Sequence, residues 1–288
     1  QKTAYEIYQC DWSSDVCSSD RGAATTCAAY RDWLDTRLPA TLYQPMELHG
    51  TSGEVRLSDD GNGAWRWTVG AFAERRADRV DSITARADAA TGLLVTPFDL
   101  TGRRLLDMRL DQQALYAEGS RALGAGITAT LGMRAYRYVR VAGGSVPVPN
   151  IVTGTGLVAE ARYRTTAGGR NMKAALDWRR DDGLMVQLIA SEGFRPGGVN
   201  ITPELAPAER VFRADHLWNY ELGIKLPLRE TSATVEASAF HIDWSDTIFV
   251  ASSANGAFLY NTNLSSVDID GVEARAGATL ADRKSTRL

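Results

Sequence analysis

The 288-residue sequence has few cysteines, few histidines and no large excess of charge of either sign. Its three cysteines, Cys10, Cys17 and Cys27, crowd the first tenth of the chain and form neither a CxxC pair nor a ligand set with histidine. A disulfide framework or a zinc site is therefore not expected. Lysine and arginine total 32 against 35 acidic residues, which gives a formal net charge of −3. This balance lacks the basic footprint of a nucleic-acid binder, so no nucleic acid is expected among the partners.

Long apolar runs are also missing. A membrane-spanning helix needs about 18 or more consecutive apolar residues, whereas stretches such as Leu184–Ala190 are interrupted within a few positions. Transmembrane helices are thereby excluded, and the first residues do not contain the apolar core of a secretion signal. Hydrophobic residues nevertheless make up 44% of the chain and charged residues 23%, ordinary values for a folded domain that exclude wholesale disorder.

What the sequence does contain is alternation of apolar and polar residues, the pattern of a strand whose successive side chains point to opposite faces. In Asn171–Arg179, for example, Met, Ala, Leu and Trp alternate with Asn, Lys, Ala, Asp and Arg. The apolar phase slips once, between Ala239 and Phe240, which predicts a β-bulge. The predicted strands are Thr51–Leu57, Trp65–Ala73, Gln113–Arg121, Ile127–Tyr136, Leu157–Thr165, Asn171–Arg179, Met185–Glu192, Asn219–Leu226, Thr234–Trp244 and Val272–Leu280.

Turn signals and longer connections separate these strands in a long-short rhythm. The turn signals are Asp59–Gly63, Ala167–Gly169, Asp181–Gly183 and Arg229-Glu230. The most prominent long connection, rich in Gly and Pro, is Gly193–Leu217. Strands of about ten residues joined in this way are typical of a membrane β-barrel, whereas the strands of a soluble β-sandwich more often have about five or six residues.

The two faces of the predicted strands leave two architectures open. In Asn171–Arg179 and Asn219–Leu226 the polar face carries full charges, and the apolar face ends in Trp or Tyr, as the aromatic girdle of a membrane barrel would. A hydrated interior explains the charged face, and a bilayer explains the apolar one. A β-sandwich with a charged solvent face and an apolar core explains the same pattern, so the pattern alone favours neither.

Four ordered motifs in the second half of the chain resemble the C-terminal barrel of TonB-dependent outer-membrane receptors. They are Ser191–Asn200 (SEGFRPGGVN), Asp215–Lys225 (DHLWNYELGIK), Ala239–Asp246 (AFHIDWSD) and Tyr260–Asn263 (YNTN) followed by Gly271–Glu273 (GVE). Three upstream segments resemble earlier barrel strands of the same family: Gly63–Gly70, Ala114–Glu118 and Leu131–Arg134. The resemblance spans Thr51–Ala278, most of the chain.

The resemblance implies an all-β fold, an antiparallel transmembrane β-barrel of 22 strands, of which about ten are recognisable here. It also implies an N-terminal plug domain and a TonB box, and neither is recognised in the sequence. We therefore expect an internal fragment in which 23–282 form part of the barrel. The implied function is uptake of a scarce nutrient, siderophore-bound iron or another large solute, into the periplasm, without enzymatic activity or a cofactor.

The same resemblance implies the location and the partners. The protein is expected in the outer membrane of a Gram-negative-type cell, as a monomeric barrel in contact with outer-membrane lipid. Its other expected partners are a small-molecule or metal-chelate ligand and, through the missing N-terminal region, the TonB energy-transducing complex. An open sheet of about ten strands would leave two unpaired edges in lipid, so the 288-residue chain alone is not expected to insert as a closed barrel.

Both ends of the chain have an unusual composition. Cys10–Asp20 and Lys284–Leu288 resemble translated sequencing-adapter read-through. The segments 1–22 and 283–288 are accordingly expected to be non-native, which leaves Cys27 as the single native cysteine. The alternative is a genuine linker rich in Ser and Asp.

No catalytic or metal-binding constellation is recognisable. The three histidines, His49, His216 and His241, lie far apart in the sequence and outside any nucleophile or zinc motif. Gly154–Ala159 matches a dinucleotide-binding fingerprint only loosely and precedes a predicted strand, so it is predicted to be a turn. Asp59–Gly63 lacks the spaced ligands and the terminal Glu of an EF-hand loop, so it is predicted to be a hairpin connection.

The substrate-binding candidates come from one glycine-rich segment. Gly193–Asn200 is expected either to form an outer loop at the mouth of the barrel or to be a turn whose glycines and proline fix the backbone, and the turn is favoured. In the first alternative Phe194, Arg195 and Asn200 are the candidate ligand contacts, with Arg195 facing an anionic ligand. The charged residues expected to line a hydrated interior are Lys173, Asp177, Arg179, Glu221 and Lys225.

Two other functions stay open. A passive porin-like channel predicts no plug upstream in the gene and an ion conductance for the purified protein. A secreted β-sandwich, as a binding module or glycan enzyme, predicts solubility without detergent and, for the enzyme, paired carboxylates in a cleft. Neither alternative accounts for the four ordered motifs.

Overall fold

Residues 32–59, 61, 63–151, 153–202, 205–228, 233–253 and 258–278 are described by a computed structural model of the chain. The three cysteines and the two terminal segments that the sequence predicts to be non-native, 1–22 and 283–288, lie outside these residues. Within the described ranges, no helix is long and apolar enough to cross a membrane.

Antiparallel strands make up most of the described chain. They are β1 (Ala40–Tyr43), β2 (Met46–Asp59), β3 (Trp65–Arg86), β4 (Leu100–Gly124), β5 (Ile127–Val148), β6 (Val158–Arg179), β7 (Met185–Arg195), β8 (Gly198–Val199), β9 (Val211–Phe212), β10 (Asp215–Leu228), β11 (Ala233–Ser245), β12 (Ile248–Ser252), β13 (Leu259–Asn263) and β14 (Ser266–Ala278). One short 3-10 helix, Pro207–Glu209, precedes β9.

Ten of these strands form one sheet. Its order is β1-β3-β4-β5-β6-β7-β10-β11-β14, and β2 continues the line of β1 along the same edge of β3. Two smaller sheets are formed by β8 with β9 and by β12 with β13. No described strand pairs with the outer edge of β2 or of β14. The prediction of an all-β, antiparallel, partial barrel is therefore confirmed.

The register of the sheet aligns apolar side chains of neighbouring strands into a continuous band on one face. Leu131 on β5 lies opposite Ala174 on β6. Leu188 on β7 lies opposite Leu176 on β6 and opposite Leu222 on β10. Nothing in the described chain covers this band, since Leu131 is 69% exposed and Leu188 is 50% exposed. The sheet thus presents a broad apolar surface outward, here called the apolar band.

The height of the apolar band is that of a hydrocarbon layer. It runs from Ile127 to Ala135 on β5 and from Met172 to Trp178 on β6. At about 3.3 Å per residue these stretches extend about 20–30 Å, which agrees with the apolar band of about 25 Å in membrane barrels. Trp178 lies at one boundary of the band, the position of an aromatic girdle, and Tyr220 lies opposite Ala190.

Four of the strands are about twice as long as predicted. The strands β3, β4, β5 and β6 have 22 to 25 residues, whereas β7, β10, β11 and β14 have 11 to 14. The long strands therefore continue past the apolar band. In β4 and β5 the continuation carries apolar residues on both faces, such as Leu105 and Leu106, so the alternation that predicts strands is lost there.

The turn predicted at Ala167–Gly169 is wrong, because the two strands predicted around it are one strand, β6. The glycines serve a close approach of β5 instead. A Cβ atom at Gly168 would lie 2.8 Å from the carbonyl oxygen of Tyr136, and one at Gly169 would lie 2.7 Å from the Tyr136 hydroxyl. Glycine in a strand interior often marks such an approach.

The β-bulge predicted between Ala239 and Phe240 is also wrong. The strand β11 pairs without a register shift with both β10 and β14. Alternation persists because Ala239 joins the apolar band and Phe240 lies on the opposite face, beside Glu221 and Gly271. Gly271 leaves room for the ring, since a Cβ atom there would lie 2.2 Å from Cζ of Phe240.

A valine at position 271 is expected to destabilise the sheet. Gly271→Val drives Phe240 from its place and should cost about 1–3 kcal/mol of unfolding free energy, the usual range for overpacking. Gly277→Val is the matched control, because it lies on the same strand and face and a Cβ atom there would have no other atom within 4 Å. Urea unfolding followed by tryptophan emission measures both, and an equal loss in the two variants would contradict the prediction.

Short and long connections lie at opposite ends of the sheet. The described short connections are 61–64, 125–126 and 180–184, so the predicted turns at Asp59–Gly63 and Asp181–Gly183 fall at the ends of strands, whereas Arg229-Glu230 lies outside the described residues. The long connections are 87–99, 149–157, 196–214 and 246–265. The predicted long-short rhythm is confirmed. The connection predicted at Gly193–Leu217 is shorter, because β7 runs on to Arg195 and β10 begins at Asp215.

The buried core sits toward the long connections, on the face opposite the apolar band. It consists of Leu110, Ala114, Tyr136 and Tyr138, with Phe72, Ala167 and Phe194 packed against them. The connection 196–214 adds its own buried apolar residues, Val199, Leu205 and Phe212. This connection therefore folds onto the wall instead of extending away from it, which places its polar side chains against the strands.

Candidate functional site

The face opposite the apolar band, here called the polar face, carries paired charges. Nζ of Lys173 lies 2.9 Å from Oε2 of Glu118, and Nε2 of Gln187 donates to Oδ1 of Asp177 at 2.6 Å. The side chains of Lys173 and Glu118 remain 44% and 41% exposed. Exposed pairs of this kind contribute about 1 kcal/mol or less to stability, so their main effect is to keep the face hydrated.

The five charged residues that the sequence predicts on a single face are brought to it. Lys173, Asp177 and Arg179 line one open cleft of about 900 Å³ on β6, near the short connections. Glu221 and Lys225 line a neighbouring cleft on β10. One side of the sheet is consequently charged and concave over β5, β6, β7 and β10, whereas the other side is apolar.

Phe194 lies at the end of β7 and not in a loop. Its ring stacks on Tyr136 with a centroid distance of 3.6 Å and an interplanar angle of 7°. The Tyr138 ring lies 6.3 Å away, and the Tyr138 hydroxyl accepts a hydrogen bond from the backbone N–H of Gly197 at 2.9 Å. The aromatic stack therefore fixes the point at which the chain leaves β7.

Arg195, the last residue of β7, is held by a buried carboxylate. Asp215 is 1% exposed and accepts hydrogen bonds from the backbone N–H of Arg195 at 3.0 Å and from its Nε at 2.8 Å. Asp215 also accepts the N–H of Ile248 at 3.0 Å. The guanidinium carbon lies 4.5 Å from the centre of the Trp244 ring. One carboxylate thus joins the ends of β7 and β10 to the start of the connection after β11.

Asn200 ties the connection 196–214 to the connection 246–265. Its Nδ2 donates to the carbonyl oxygens of Glu209 at 2.9 Å and Asn261 at 2.7 Å, and its Oδ1 accepts the N–H of Asn261 at 2.9 Å. Asn263 makes a parallel link, with Oδ1 accepting the N–H of Arg213 at 2.7 Å. The two longest connections are therefore held together as one unit.

Phe194, Arg195 and Asn200 all lie at the long-connection end of the sheet. Each is engaged with other parts of the chain in this conformation, as the alternative of a shape-determining turn expects. Their role as ligand contacts stays a prediction.

The histidines do not come together. His49 is exposed on β2, His216 stacks on Phe194 with centroids 6.4 Å apart, and Nδ1 of His241 lies 2.8 Å from Oδ1 of Asp270. Over the described part of the chain, no three His, Cys, Asp or Glu side chains are grouped as metal ligands. The first part of Gly154–Ala159 lies in the connection before β6, with Thr155 bridged to Asn150, and β6 begins within the segment at Val158.

Sequence reasoning did not single out the residues that organise this end of the molecule. Tyr136 and Tyr138 are two positions apart on a strand, so both face the same side, and that spacing was the available signal. Asp215 opens one of the quoted motifs, but nothing local indicates that its carboxylate meets Arg195. Contacts between residues 20 positions apart are set by the fold and not by the local sequence.

A sheet with one exposed apolar face, one charged concave face and all described long connections at one end is a segment of β-barrel wall. The family described as "TonB dependent receptor-like, beta-barrel" matches residues 8–283. The chain therefore belongs to the TonB-dependent receptor β-barrel family, whose members are transport receptors. Among curated proteins, none matches this chain.

Solved receptor structures share the fold at low sequence identity. The ferric yersiniabactin uptake receptor FyuA from Yersinia pestis has a TM-score of 0.68 and 16% identity over 85% of this chain and 35% of FyuA. The ferric-catecholate import receptor Fiu from K12 E. coli has a TM-score of 0.59 and 12% identity over 83% of this chain and 36% of Fiu. The copper transporter OprC has a TM-score of 0.57 and 13% identity over 84% and 36%. The chain thus spans about a third of the length of these proteins.

Proposed function

We propose that this protein is an outer-membrane receptor that takes up a scarce nutrient into the periplasm. The observation that carries the proposal is the two-faced wall, with an apolar band of bilayer height on one side and hydrated, paired charges on the other. A soluble sandwich would cover the apolar band with a second sheet. Here large side chains such as Leu131 and Leu188 remain exposed across the described strands.

The orientation follows from the connections. Membrane barrels of bacteria have short periplasmic turns and longer outer loops. The end that carries 87–99, 149–157, 196–214 and 246–265 therefore faces outward, and the end that carries 125–126 and 180–184 faces the periplasm. The joined connections 196–214 and 246–265 then cover the outer mouth of the wall, where an incoming ligand first meets the protein.

A metal chelate is the ligand class best supported by the structural relatives. FyuA is a ferric yersiniabactin uptake receptor, Fiu is a ferric-catecholate import receptor and OprC is a copper transporter. Large polar solutes of this kind suit a wide, charged interior. Phe194, Arg195 and Asn200 are the ligand contacts we propose at the outer mouth, with the charged residues of the polar face lining the path below them.

The chain is proposed to be an internal part of a longer receptor. The length ratio with the solved receptors supports this, because 83–85% of the chain corresponds to only 35–36% of each of them. In the proposed protein 23–282 belong to the barrel wall, and 1–22 and 283–288 are not native. Further strands would cover the free edges of β2 and β14 in a monomeric barrel surrounded by lipid. A plug outside this chain would contact the TonB energy-transducing complex, and no catalytic step or cofactor is proposed.

Uptake measurements test this function. The complete gene product, expressed in cells that lack their own receptors, is expected to import a labelled ferric chelate from a panel, and the uptake should fall at least about tenfold in a TonB-deficient strain because the plug is then not rearranged. A passive channel would transport equally well without TonB. Purification as a soluble protein without detergent would instead favour the secreted β-sandwich.

A further inference from the structure

A small cavity lies between the connection 196–214 and the wall strands β4, β5 and β6. Its volume is about 120 Å³. Its polar lining consists of Arg104, Ser145, Tyr163, Asn200, Thr202 and Arg210. Two of these residues are cations, and none of the described lining residues is a carboxylate.

Arg104 lines this cavity and has no partner of opposite charge among the residues that the structure describes. Its Nη2 donates to the carbonyl oxygen of Ile201 at 2.9 Å, and its guanidinium lies 5.0 Å from the centre of the Phe258 ring. Its Nε is buried and makes no hydrogen bond with any described residue. The preceding residue differs sharply, since Arg103 binds Asp81 through Nε at 2.9 Å and through Nη2 at 2.6 Å. Among the described residues, Arg104 thus lacks the acidic partner that its neighbour Arg103 has.

Arg210 approaches the same cavity from the connection. Its Nη1 donates to the Tyr163 hydroxyl at 3.2 Å, and its guanidinium lies 5.9 Å from that ring. Within the described chain it forms no ion pair. The third arginine under this connection, Arg140, donates to the carbonyl oxygens of Pro196 and Gly197 and lies outside the cavity lining.

Placing two guanidinium groups at one cavity, with no carboxylate among its described lining residues, costs folding free energy. Burying a charge is unfavourable unless it is paired and hydrogen-bonded. A guanidinium has five N–H donors in a planar fork, and Arg104 uses one of them in the described structure. The group that best matches such forks is an oxyanion with several acceptor oxygens, such as phosphate or carboxylate.

The volume of the cavity restricts the size of the anion. A dry cavity of about 150 Å³ holds benzene, so about 120 Å³ admits an ion of the size of inorganic phosphate. A metal chelate of the kind proposed for transport does not fit this space. The cavity therefore does not hold the transported chelate, although Asn200 both lines it and is a proposed chelate contact. An ion in the cavity would touch the wall through Arg104 and the connection through Arg210.

We propose that this cavity binds a small oxyanion of the phosphate class between Arg104 and Arg210. The ion supplies the missing negative charge and bridges β4 to the connection 196–214. Its binding stabilises the folded-in position of that connection, because a ligand bound only to one conformation shifts the population toward it. Anion concentration outside the cell then sets how firmly the outer mouth is covered.

Calorimetric titration with sodium phosphate tests the proposal on the complete protein in detergent, with sodium chloride at equal ionic strength as the reference. We expect one site per chain with a dissociation constant below about 10 mM. Arg104→Gln and Arg210→Gln should each weaken binding at least about tenfold, which is about 1.4 kcal/mol. Arg109→Gln is the matched control, because Arg109 lies on the same strand, is exposed and pairs with Asp111.

The outcomes are separable from those of the uptake test, because neither a chelate nor TonB is present. Phosphate should also slow tryptic cleavage within 196–214, at Arg210 and Arg213, in the parent protein and not in Arg104→Gln, a variant altered in the wall that keeps both cleavage sites. Absence of saturable binding up to about 50 mM phosphate, far above the expected constant, would overturn the proposal. Equal affinities in the parent and both cavity variants would overturn it as well, because phosphate would then bind outside the cavity, as an adventitious ion only.

Discussion

Replacement of Leu188 by arginine is expected to prevent the protein from folding stably into a bilayer. Leu188 is at the middle of the apolar band, between Leu176 and Leu222. An arginine on the lipid face of a barrel costs about 2–4 kcal/mol at the bilayer midplane. The complete protein carrying Leu188→Arg should lose this amount of folding free energy, measured by urea titration in phospholipid vesicles with heat-modifiable gel migration as the readout.

The neighbouring residue provides a matched control. Gln187 points to the polar face, where it donates to Asp177. Gln187→Arg keeps a donor for that carboxylate, so its folding free energy should change by less than about 1 kcal/mol. The two variants place the same charge on adjacent residues of β7, so the difference in their folding free energies compares the apolar face with the polar face. Equal losses in the two variants, or a larger loss for Gln187→Arg, would show that the band does not contact lipid.

Removal of the Asp215 carboxylate is expected to release the two longest connections. In Asp215→Ala the buried N–H groups of Arg195 and Ile248 lose their acceptor, and the guanidinium loses its charge partner. Because the Arg195 side chain is 48% exposed, the cost should fall below the full range for a broken buried ion pair, at about 2–3 kcal/mol. Hydrogen exchange in 196–214 and 246–253 should accelerate about 30- to 160-fold, as that free energy implies.

Asp111→Ala is the control for this experiment. Asp111 also bridges two arginines, Arg75 and Arg109, but on the exposed wall. Its removal should leave exchange in both connections unchanged, because exposed pairs contribute little. Asp215→Asn keeps one acceptor oxygen and should give an intermediate rate. Unchanged exchange in Asp215→Ala would contradict the view that this carboxylate joins the connections.

The sequence predicts best those strands that have one apolar face and one charged face. In Asn171–Arg179 and Asn219–Leu226 the requirement for an apolar side and a hydrated side imposes strict alternation, so these strands and their faces follow from the sequence. Above the apolar band both faces of β3 to β6 meet water or a folded-in connection. That requirement is absent there. In β3, β4 and β5 the strands continue without the predictive pattern, whereas the upper half of β6 keeps it and was predicted as Leu157–Thr165.

Two predictions about the fold were wrong, one at a pair of glycines and one at an aromatic residue. Gly168 and Gly169 have the composition of a turn, yet they lie within β6, where their missing side chains leave space for the Tyr136 carbonyl oxygen and the Tyr136 ring respectively. Phe240 interrupts the apolar phase, yet no bulge forms because Gly271 on the next strand accommodates the ring. Both compensations come from a neighbouring strand and are invisible in a local window.

The candidate site was predictable in location and not in its contacts. The motif around Gly193 and Asn200 predicts a glycine-rich turn or an outer loop, and the structure places it at the long-connection end of the sheet. The partners of Arg195 and Asn200 come from β10 and from 246–265, since Asp215 and Asn261 are 20 and 61 residues away. Such pairings depend on which connections fold inward, and no spacing rule in the sequence specifies this.

A long sequencing read across the locus in the source DNA tests most directly whether this chain is part of a TonB-dependent receptor. We expect the reading frame to continue upstream into a plug domain and a signal peptide, and downstream into closing strands. The present residues 1–22 and 283–288 should then be replaced by barrel sequence. A locus that encodes the same first residues and a stop directly after Leu288 would contradict the receptor function and favour a short β-rich binding or assembly protein.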